Sequence, residues 1–153
     1  EKLRSIHGLG TAKACQIIAL LELGARLTDD TKPEILSPAD IWKLCADIRE
    51  SKKEHFVVFY LDTQSRLIER QIISIGTLNA SIVHPREVFE PAIALHAASI
   101  IAAHNHPSDN LEPSGTDLIM TKKLKESGEL LGIPLESHII ITKRNFRDIL
   151  RQV

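Results

Sequence analysis

The chain has 153 residues and a mass of 17.1 kDa, about the size of one ordinary domain. Hydrophobic residues make up 43% and charged residues 25%, which supports a buried core and excludes a disordered or low-complexity chain. The 19 Lys and Arg against 20 Asp and Glu give a formal charge of −1, which argues against a surface that binds polyanions broadly. No apolar run approaches the roughly 20 residues of a membrane span, so we expect no membrane partner.

The two cysteines, Cys15 and Cys45, lie far apart in segments with helical patterning. This usage does not fit a disulfide framework, and it predicts small core side chains in a reducing, cytoplasmic compartment. Because the chain starts at Glu1 with no initiator Met, we expect a piece of a longer protein. The patterning predicts no particular oligomeric state.

The beginning of the chain is predicted to be a separate region. Gly8 and Gly10 precede an apolar-periodic run that predicts a helix to about Leu27. Polar, breaker-rich residues follow and predict a linker. We therefore expect a first region at 1–31 and the main domain at 32–153.

The main domain is predicted to be a three-layer α/β domain. Its helices are expected at 38–49, 85–97 and 115–131, with a last helical turn at 146–150. Its strands are expected at 55–61, 67–75, 81–84, 99–104 and 135–142. The first two strands are predicted to form a hairpin. The continuous apolar run at 99–104 is typical of a central strand that is buried on both faces.

The most informative stretch directly follows this buried strand and runs from His104 to Asp117. Residues two apart in an extended strand point to the same side, so His104 and His106 can direct their rings to one point. Asp117 begins the next helix, and the intervening loop is long enough to fold back. Two imidazoles and a carboxylate suit a zinc ion with a fourth position left for water, as in catalytic zinc sites.

This spacing resembles the His-x-His-x7-Ser-x2-Asp signature of the JAMM (MPN-plus) metalloproteases, with a match at His104, His106, Ser114 and Asp117. Glu54 stands where that family has a Glu at the start of the first sheet strand. Across essentially the whole chain, further short segments resemble the sequences of the RadC family of bacterial proteins. The segments that carry this likeness are Glu54-His55-Phe56, Tyr60-Leu61-Asp62, Gly76-Thr77-Leu78, His84-Pro85-Arg86-Glu87, His104-Asn105-His106-Pro107-Ser108, Leu131-Gly132-Ile133 and Ser137-His138-Ile139.

The resemblance implies an α-β-α fold with a mixed sheet, similar to the cytidine-deaminase-like JAMM core, behind a residual helix. It also implies hydrolysis of an amide, peptide or isopeptide bond in a protein or peptide substrate. Zinc held by His104, His106 and Asp117 would lower the pKa of its bound water toward about 7. Glu54 would take that proton as general base, and Ser114 would offer its hydroxyl to the oxyanion of the tetrahedral intermediate.

Some of these residues have simpler explanations. Ser114 and Asp117 also form a helix N-cap with an acidic third residue, which needs no metal. Glu54 follows two lysines, and its position alone would indicate a solvent-exposed side chain. Glu112, in the loop, is an alternative base. His138 follows Ser137, which departs from the family sequence, where an Asp is usual. Whether His138 lies beside the metal or the substrate is left open.

Gly8-Leu9-Gly10 resembles the hairpin of a helix-hairpin-helix motif, which the RadC family carries ahead of its metal domain. Backbone amides of such a hairpin can hold a DNA phosphate. The preceding helix is almost entirely missing here, so we expect this piece to bind DNA weakly or not at all. An alternative function is a DNA-associated repair or recombination module, or a nuclease, whose metal domain is structural or acts on nucleic acid.

Overall fold

The computed structural model describes residues 9–28, 33–76 and 83–153. The chain divides into two compact units, 1–32 and 33–153, and each is described by itself. The first unit contributes helix α1 (Thr11–Thr28), which confirms the helix predicted there. Gly8 and most of the predicted linker lie outside the described residues, so the hairpin stays a prediction.

The second unit alternates helices with the strands of one sheet. Its helices are α2 (Pro38–Leu44), α3 (Pro85–Ala94) and α4 (Gly115–Leu131). Its strands are β1 (Glu54–Leu61), β2 (Leu67–Gly76), β3 (Ser99–Asn105), β4 (Leu135–Ile141) and β5 (Phe146–Asp148), followed by a 3-10 turn (Leu150–Gln152). The strand order is β2-β1-β3-β4-β5, in which β3 and β4 are parallel and all other neighbours are antiparallel. The predicted mixed sheet and its β1–β2 hairpin are confirmed.

Each face of the sheet has its own hydrophobic core, because successive side chains of a strand point to opposite faces. The core under α3 and α4 takes alternate residues of β1, namely Phe56, Val58 and Tyr60. The core under α2 takes the residues between them, Val57, Phe59 and Leu61. Helices therefore cover both faces, which confirms the three-layer prediction and explains the continuous apolar runs.

Helix α2 begins as predicted and ends earlier. The Ser37 N–H and hydroxyl donate to the Asp40 carboxylate at 3.1 and 2.9 Å, and Pro38 takes the first helical position. The helix ends at Leu44, after which most backbone hydrogen bonds join an N–H to the carbonyl three residues earlier. One such bond joins the Ile48 N–H to the Cys45 carbonyl at 3.1 Å.

Two predicted elements, at 146–150 and 81–84, differ from the structure. The helical turn predicted at 146–150 is wrong, because β5 forms there and pairs with the end of β4. A three-residue edge strand is too short to show the alternation that reveals strands. The strand predicted at 81–84 lies partly outside the described residues. His84 belongs to no strand, and its Nδ1 caps α3 by accepting the Arg86 N–H at 3.1 Å.

The cysteine prediction is half right. Both thiols are free, but only Cys45 is a core residue, since Cys15 is exposed. Burial raises the pKa of the Cys45 thiol to about 12, which keeps it protonated and unreactive. Within the three described stretches of chain, no helix combines the length and the apolarity that crossing a bilayer requires.

Gly128 lies where α4 passes closest to the backbone that follows it. A Cβ at this position would stand 2.6 Å from the Ile133 carbonyl oxygen and 3.3 Å from the Leu135 nitrogen, atoms that cannot rotate away. At Gly115, the first residue of the same helix, a Cβ would meet open space. The two glycines therefore form a matched pair for the same substitution.

We predict that Gly128→Ala lowers the free energy of unfolding by about 1–3 kcal/mol through overpacking. Alanine is the better helix former by about 1 kcal/mol, so helix propensity alone predicts the opposite sign. Gly115→Ala should leave stability unchanged or raise it slightly. Denaturant unfolding of both variants decides the sign, and a Gly128→Ala protein as stable as the original would show that the backbone contact yields without cost.

Candidate metal centre

Four side chains from three elements meet at one end of the sheet, on the face that α4 covers. Glu54 begins β1, His104 and His106 lie at the end of β3, and Asp117 lies in the first turn of α4. One ligand atom from each lies within 4.8 Å of the others. Across the described parts of the chain, this is the only cluster of at least three His, Cys, Asp or Glu side chains that could hold a metal. It brings together four of the five predicted site residues.

The pairing of β1 with β3 explains this convergence. The strands are antiparallel neighbours, with Phe56 opposite His104. Glu54 lies two residues before Phe56 and so shares its face. His106 continues the alternation of β3 just past the end of the strand, where its N–H donates to the Ile141 carbonyl at 2.9 Å. Two strands thus place a carboxylate and two imidazoles side by side.

The separations of the three predicted ligands are within a few tenths of an ångström of those in a tetrahedral metal site. Nε2 of His104 lies 3.0 Å from Nε2 of His106. Asp117 places Oδ1 3.5 Å from the first of these nitrogens and Oδ2 3.6 Å from the second. Ligands bound tetrahedrally to zinc at about 2.0–2.1 Å stand about 3.3–3.4 Å apart. The donor set and its spacing therefore suit a metal ion, with Glu54 beside it.

The far side of the His106 ring is held by a backbone carbonyl. Nδ1 of His106 lies 2.7 Å from the Asn110 carbonyl oxygen, which can only accept, so Nδ1 carries a hydrogen. Burial lowers the pKa of His106, but the Asp117 carboxylate, the Asn110 carbonyl and the Glu54 carboxylate outweigh this and raise the pKa above its ordinary value. The centre therefore attracts a positive charge at Nε2, which either a proton or a metal ion supplies.

The pKa values of the other three groups suit metal binding and proton transfer. Burial lowers the pKa of His104 to about 4 and keeps the ring neutral. Burial raises the pKa of Asp117, but the His106 and His104 rings and the hydrogen bonds from Ser114 hold it well below its ordinary value. Burial and the Asp117 charge raise the pKa of Glu54, which suits a general base.

Ser114, the fifth predicted site residue, caps α4 and binds Asp117. Its N–H and its hydroxyl each donate to Oδ2 of Asp117 at 2.7 Å, and the Asp117 N–H donates back to the hydroxyl oxygen at 3.2 Å. The simpler explanation, a capping box, is therefore present. The same bonds orient the carboxylate toward the two histidines. To donate to an oxyanion the Ser114 hydroxyl must turn away from Asp117, so its catalytic role stays a prediction.

Asn105 holds the backbone around Glu54, a role that was not predicted. Its side chain is fully buried between the end of β3 and the start of β1. The amide Nδ2 donates to the Lys53 carbonyl at 3.0 Å, and Oδ1 accepts the His55 N–H at 2.7 Å. One side chain thus binds the peptide groups on both sides of Glu54. The only sequence signal was its place between two histidines.

His138 and Thr121 lie directly behind His104, and both are fully buried. Nε2 of His138 lies 2.9 Å from Nδ1 of His104, and its Nδ1 lies 2.6 Å from the Thr121 hydroxyl oxygen. The rings of His138 and Phe56 pack in a T-shaped arrangement, with 5.5 Å between ring centroids. Burial and the neighbouring His104 ring hold the pKa of His138 well below its ordinary value. His138 therefore lies behind a predicted ligand, and Thr121 had no signal in the sequence.

Two other residues that the sequence singled out lie away from the four-residue cluster. Glu112, the alternative base, forms an ion pair with Arg147. Ser137, which replaces the usual Asp of the family wording, donates to Asp148 at 2.6 Å. Its side chain points to the opposite face of the sheet from His138, because the two are neighbours in β4. The departure therefore does not touch the cluster.

We predict that Asn105→Ala lowers the free energy of unfolding by about 1–3 kcal/mol, since it leaves two backbone groups without their partner. The His55 amide should also exchange its hydrogen faster. Asn145→Ala is the matched control, because that exposed side chain holds one neighbouring N–H, that of Phe146. Denaturant unfolding and hydrogen exchange measure both effects. Equal losses for the two variants would show that water replaces the Asn105 amide.

Comparison with known proteins places the chain in a family. A family model described as a RadC-like JAB domain matches residues 35–150. A UPF0758 protein of Methanosarcina acetivorans is 49% identical over 145 residues, which cover 92% of this chain and 63% of that protein. UPF0758 proteins of Geobacillus sp. (strain WCH70) and Bacillus cereus (strain AH187) are each 49% identical over 150 residues, which cover 95% of this chain and 66% and 67% of those proteins.

The chain thus spans 63% to 67% of the length of these relatives. The matched region contains all four residues of the cluster, Glu54, His104, His106 and Asp117. This combination points to a metal-dependent hydrolase of the JAMM kind. By its matched domain and by its relatives, the chain belongs to the RadC-like JAB domain family.

Proposed function

We propose that this chain is a zinc-dependent hydrolase that cleaves a peptide or isopeptide bond in a protein or peptide substrate. The observation that carries the proposal is the cluster of Glu54, His104, His106 and Asp117 within 4.8 Å. Its members divide into two kinds. His104 and Asp117 have the protonation of ligands, and His106 would become one when the metal displaces its proton. Glu54 has the raised pKa of a base. Hydrolysis by an activated water needs both kinds.

His104, His106 and Asp117 would hold the zinc ion, which lowers the pKa of a bound water toward about 7. Glu54 is half-buried beside these ligands. Its carboxylate would take the water's proton and later deliver it to the leaving amine. The Ser114 hydroxyl would donate to the oxyanion that forms on the substrate carbonyl.

We further propose the two-part domain organisation that the sequence predicted. Residues 32–153 form the hydrolase domain, and residues 1–31 are the end of a helix-hairpin-helix region whose DNA contact belongs to the longer protein. The formal charge of −1 favours a peptide substrate over a nucleic acid for the metal centre, since phosphate backbones are bound mainly through basic side chains.

Glu54→Gln tests the proposed base, because it keeps the shape of the side chain and removes the carboxylate. We expect zinc to bind at the original stoichiometry and hydrolysis to fall by about 10²–10⁴-fold. Elemental analysis measures the metal, and a panel of peptide, isopeptide and DNA substrates measures cleavage. Loss of peptide cleavage supports the proposal, whereas Glu54-dependent cleavage of DNA alone would support the nuclease alternative.

Glu112→Gln is the matched control for this experiment. It removes the other carboxylate that could serve as base, and it should retain the original rate because Glu112 pairs with Arg147 outside the cluster. If Glu112→Gln were inactive while Glu54→Gln retained its rate, the assignment of the base would be reversed.

Zinc affinity should depend on pH through His106. In the metal-free protein the pKa of His106 is raised above 6.5, so the proton competes with zinc for Nε2 once the pH falls below that pKa. Affinity should then fall by about tenfold for each pH unit, with one proton released on binding. Competition with a zinc chelator at a series of pH values measures this slope. A pH-independent affinity over that range would remove His106 from the ligand set.

A further inference from the structure

A series of hydrogen bonds, which we call the relay, runs from the backbone of α4 through two buried side chains to His104. It joins the Asp117 carbonyl oxygen to the Thr121 hydroxyl at 2.6 Å, that hydroxyl to Nδ1 of His138 at 2.6 Å, and Nε2 of His138 to Nδ1 of His104 at 2.9 Å. We propose that Thr121 and His138 are positioning residues that fix the tautomer of His104 and hold its Nε2 lone pair toward the metal centre. The inference rests on the proposed metal site.

The direction of the hydrogen bonds follows from the first link. The Asp117 carbonyl oxygen can only accept, and it lies 2.6 Å from the Thr121 hydroxyl oxygen. The single hydroxyl hydrogen of Thr121 must lie between these two oxygens. The Thr121 oxygen is then an acceptor for the ring of His138, and Nδ1 of His138 must carry a hydrogen to donate at 2.6 Å.

The tautomer of His138 in turn determines the tautomer of His104. A neutral His138 ring with its hydrogen on Nδ1 has a lone pair on Nε2. Nδ1 of His104 lies 2.9 Å from that lone pair and must therefore be the donor. The remaining nitrogen of His104, Nε2, keeps its lone pair and faces His106 and Asp117. Histidine in water prefers the opposite tautomer, so the protein selects the ligand form.

Burial makes this selection strong. Thr121, His138 and His104 are each 0% exposed, so reversing one link would leave a buried polar group without a partner. Asp117 takes part at both ends of the relay. Its carbonyl accepts from Thr121 one helical turn later, and its carboxylate lies 3.5 Å from Nε2 of His104. The first turns of α4 thus supply one ligand and orient another.

The tautomers are directly measurable in the full chain. Two-bond ¹H–¹⁵N correlation spectra of the histidine rings, recorded before and after zinc is added, show which nitrogen carries the hydrogen. We expect His104 and His138 to carry it on Nδ1 in both samples, with the Nε2 resonance of His104 moving when zinc binds. A hydrogen on Nε2 of His104 or of His138 in the zinc-free protein would overturn the proposal.

Substitutions of Thr121 test the relay from its far end. Thr121→Val keeps the shape and removes the hydroxyl, so the His138 tautomer should become mixed and zinc affinity should fall by about 10–100-fold. Thr121→Ser keeps a hydroxyl and should restore both. Thr142→Val is the matched control, since it removes another buried hydroxyl, which donates to the Asn145 carbonyl at 2.9 Å and lies outside the relay.

The outcomes separate this inference from the proposed function. A Thr121→Val protein that loses stability as Thr142→Val does, but keeps the original tautomers and zinc affinity, would show that Thr121 has only a packing role. If the original chain binds no zinc, the proposed function fails, while the ring spectra still test the relay. If zinc binds but His104 carries its hydrogen on Nε2 beforehand, the relay alone fails.

Discussion

The structure around the sheet end depends on one close approach, that of two histidine Nε2 atoms 3.0 Å apart beside a buried carboxylate. Two lone pairs at this distance repel, and a buried negative charge is costly without a positive partner, even with the hydrogen bonds from Ser114. A positive charge between His104, His106 and Asp117 removes both penalties. A proton on His106 can supply that charge, and the geometry of the three atoms also suits a metal ion.

Each of the three predicted ligands is hydrogen-bonded to a residue outside the cluster, and a fourth residue holds the backbone at Glu54. Asn110 holds the ring of His106, Ser114 holds the carboxylate of Asp117, His138 holds the ring of His104, and Asn105 holds the backbone at Glu54. Such outer contacts fix ligand orientation before any ion binds. The cost of orienting the ligands is therefore met when the chain folds, and the site is pre-organised.

The start of α4 serves both stability and the metal centre. The reciprocal bonds between Ser114 and Asp117 satisfy N–H groups that a helix leaves unpaired at its N-terminus. They also turn the Asp117 carboxylate toward the histidines and help to hold its pKa low. The capping and ligand explanations of this Ser-x-x-Asp pattern are therefore compatible. The Asp117 charge in turn raises the pKa of Glu54, so the same carboxylate prepares the base.

The sequence by itself determined the order of most elements, the buried central strand and the local spacing of His104, His106 and Asp117, because strand and helix periods act over a few residues. Glu54 was predicted as a site residue only through the chain's resemblance to a family, since about 50 residues separate it from the histidines. Only the tertiary structure decided the short edge strand β5, the Asn105 contacts across 50 and 52 residues, and the His138 contacts across 17 and 34 residues. Contacts between residues so far apart leave no period in the sequence, and they arise only when the sheet and α4 pack together.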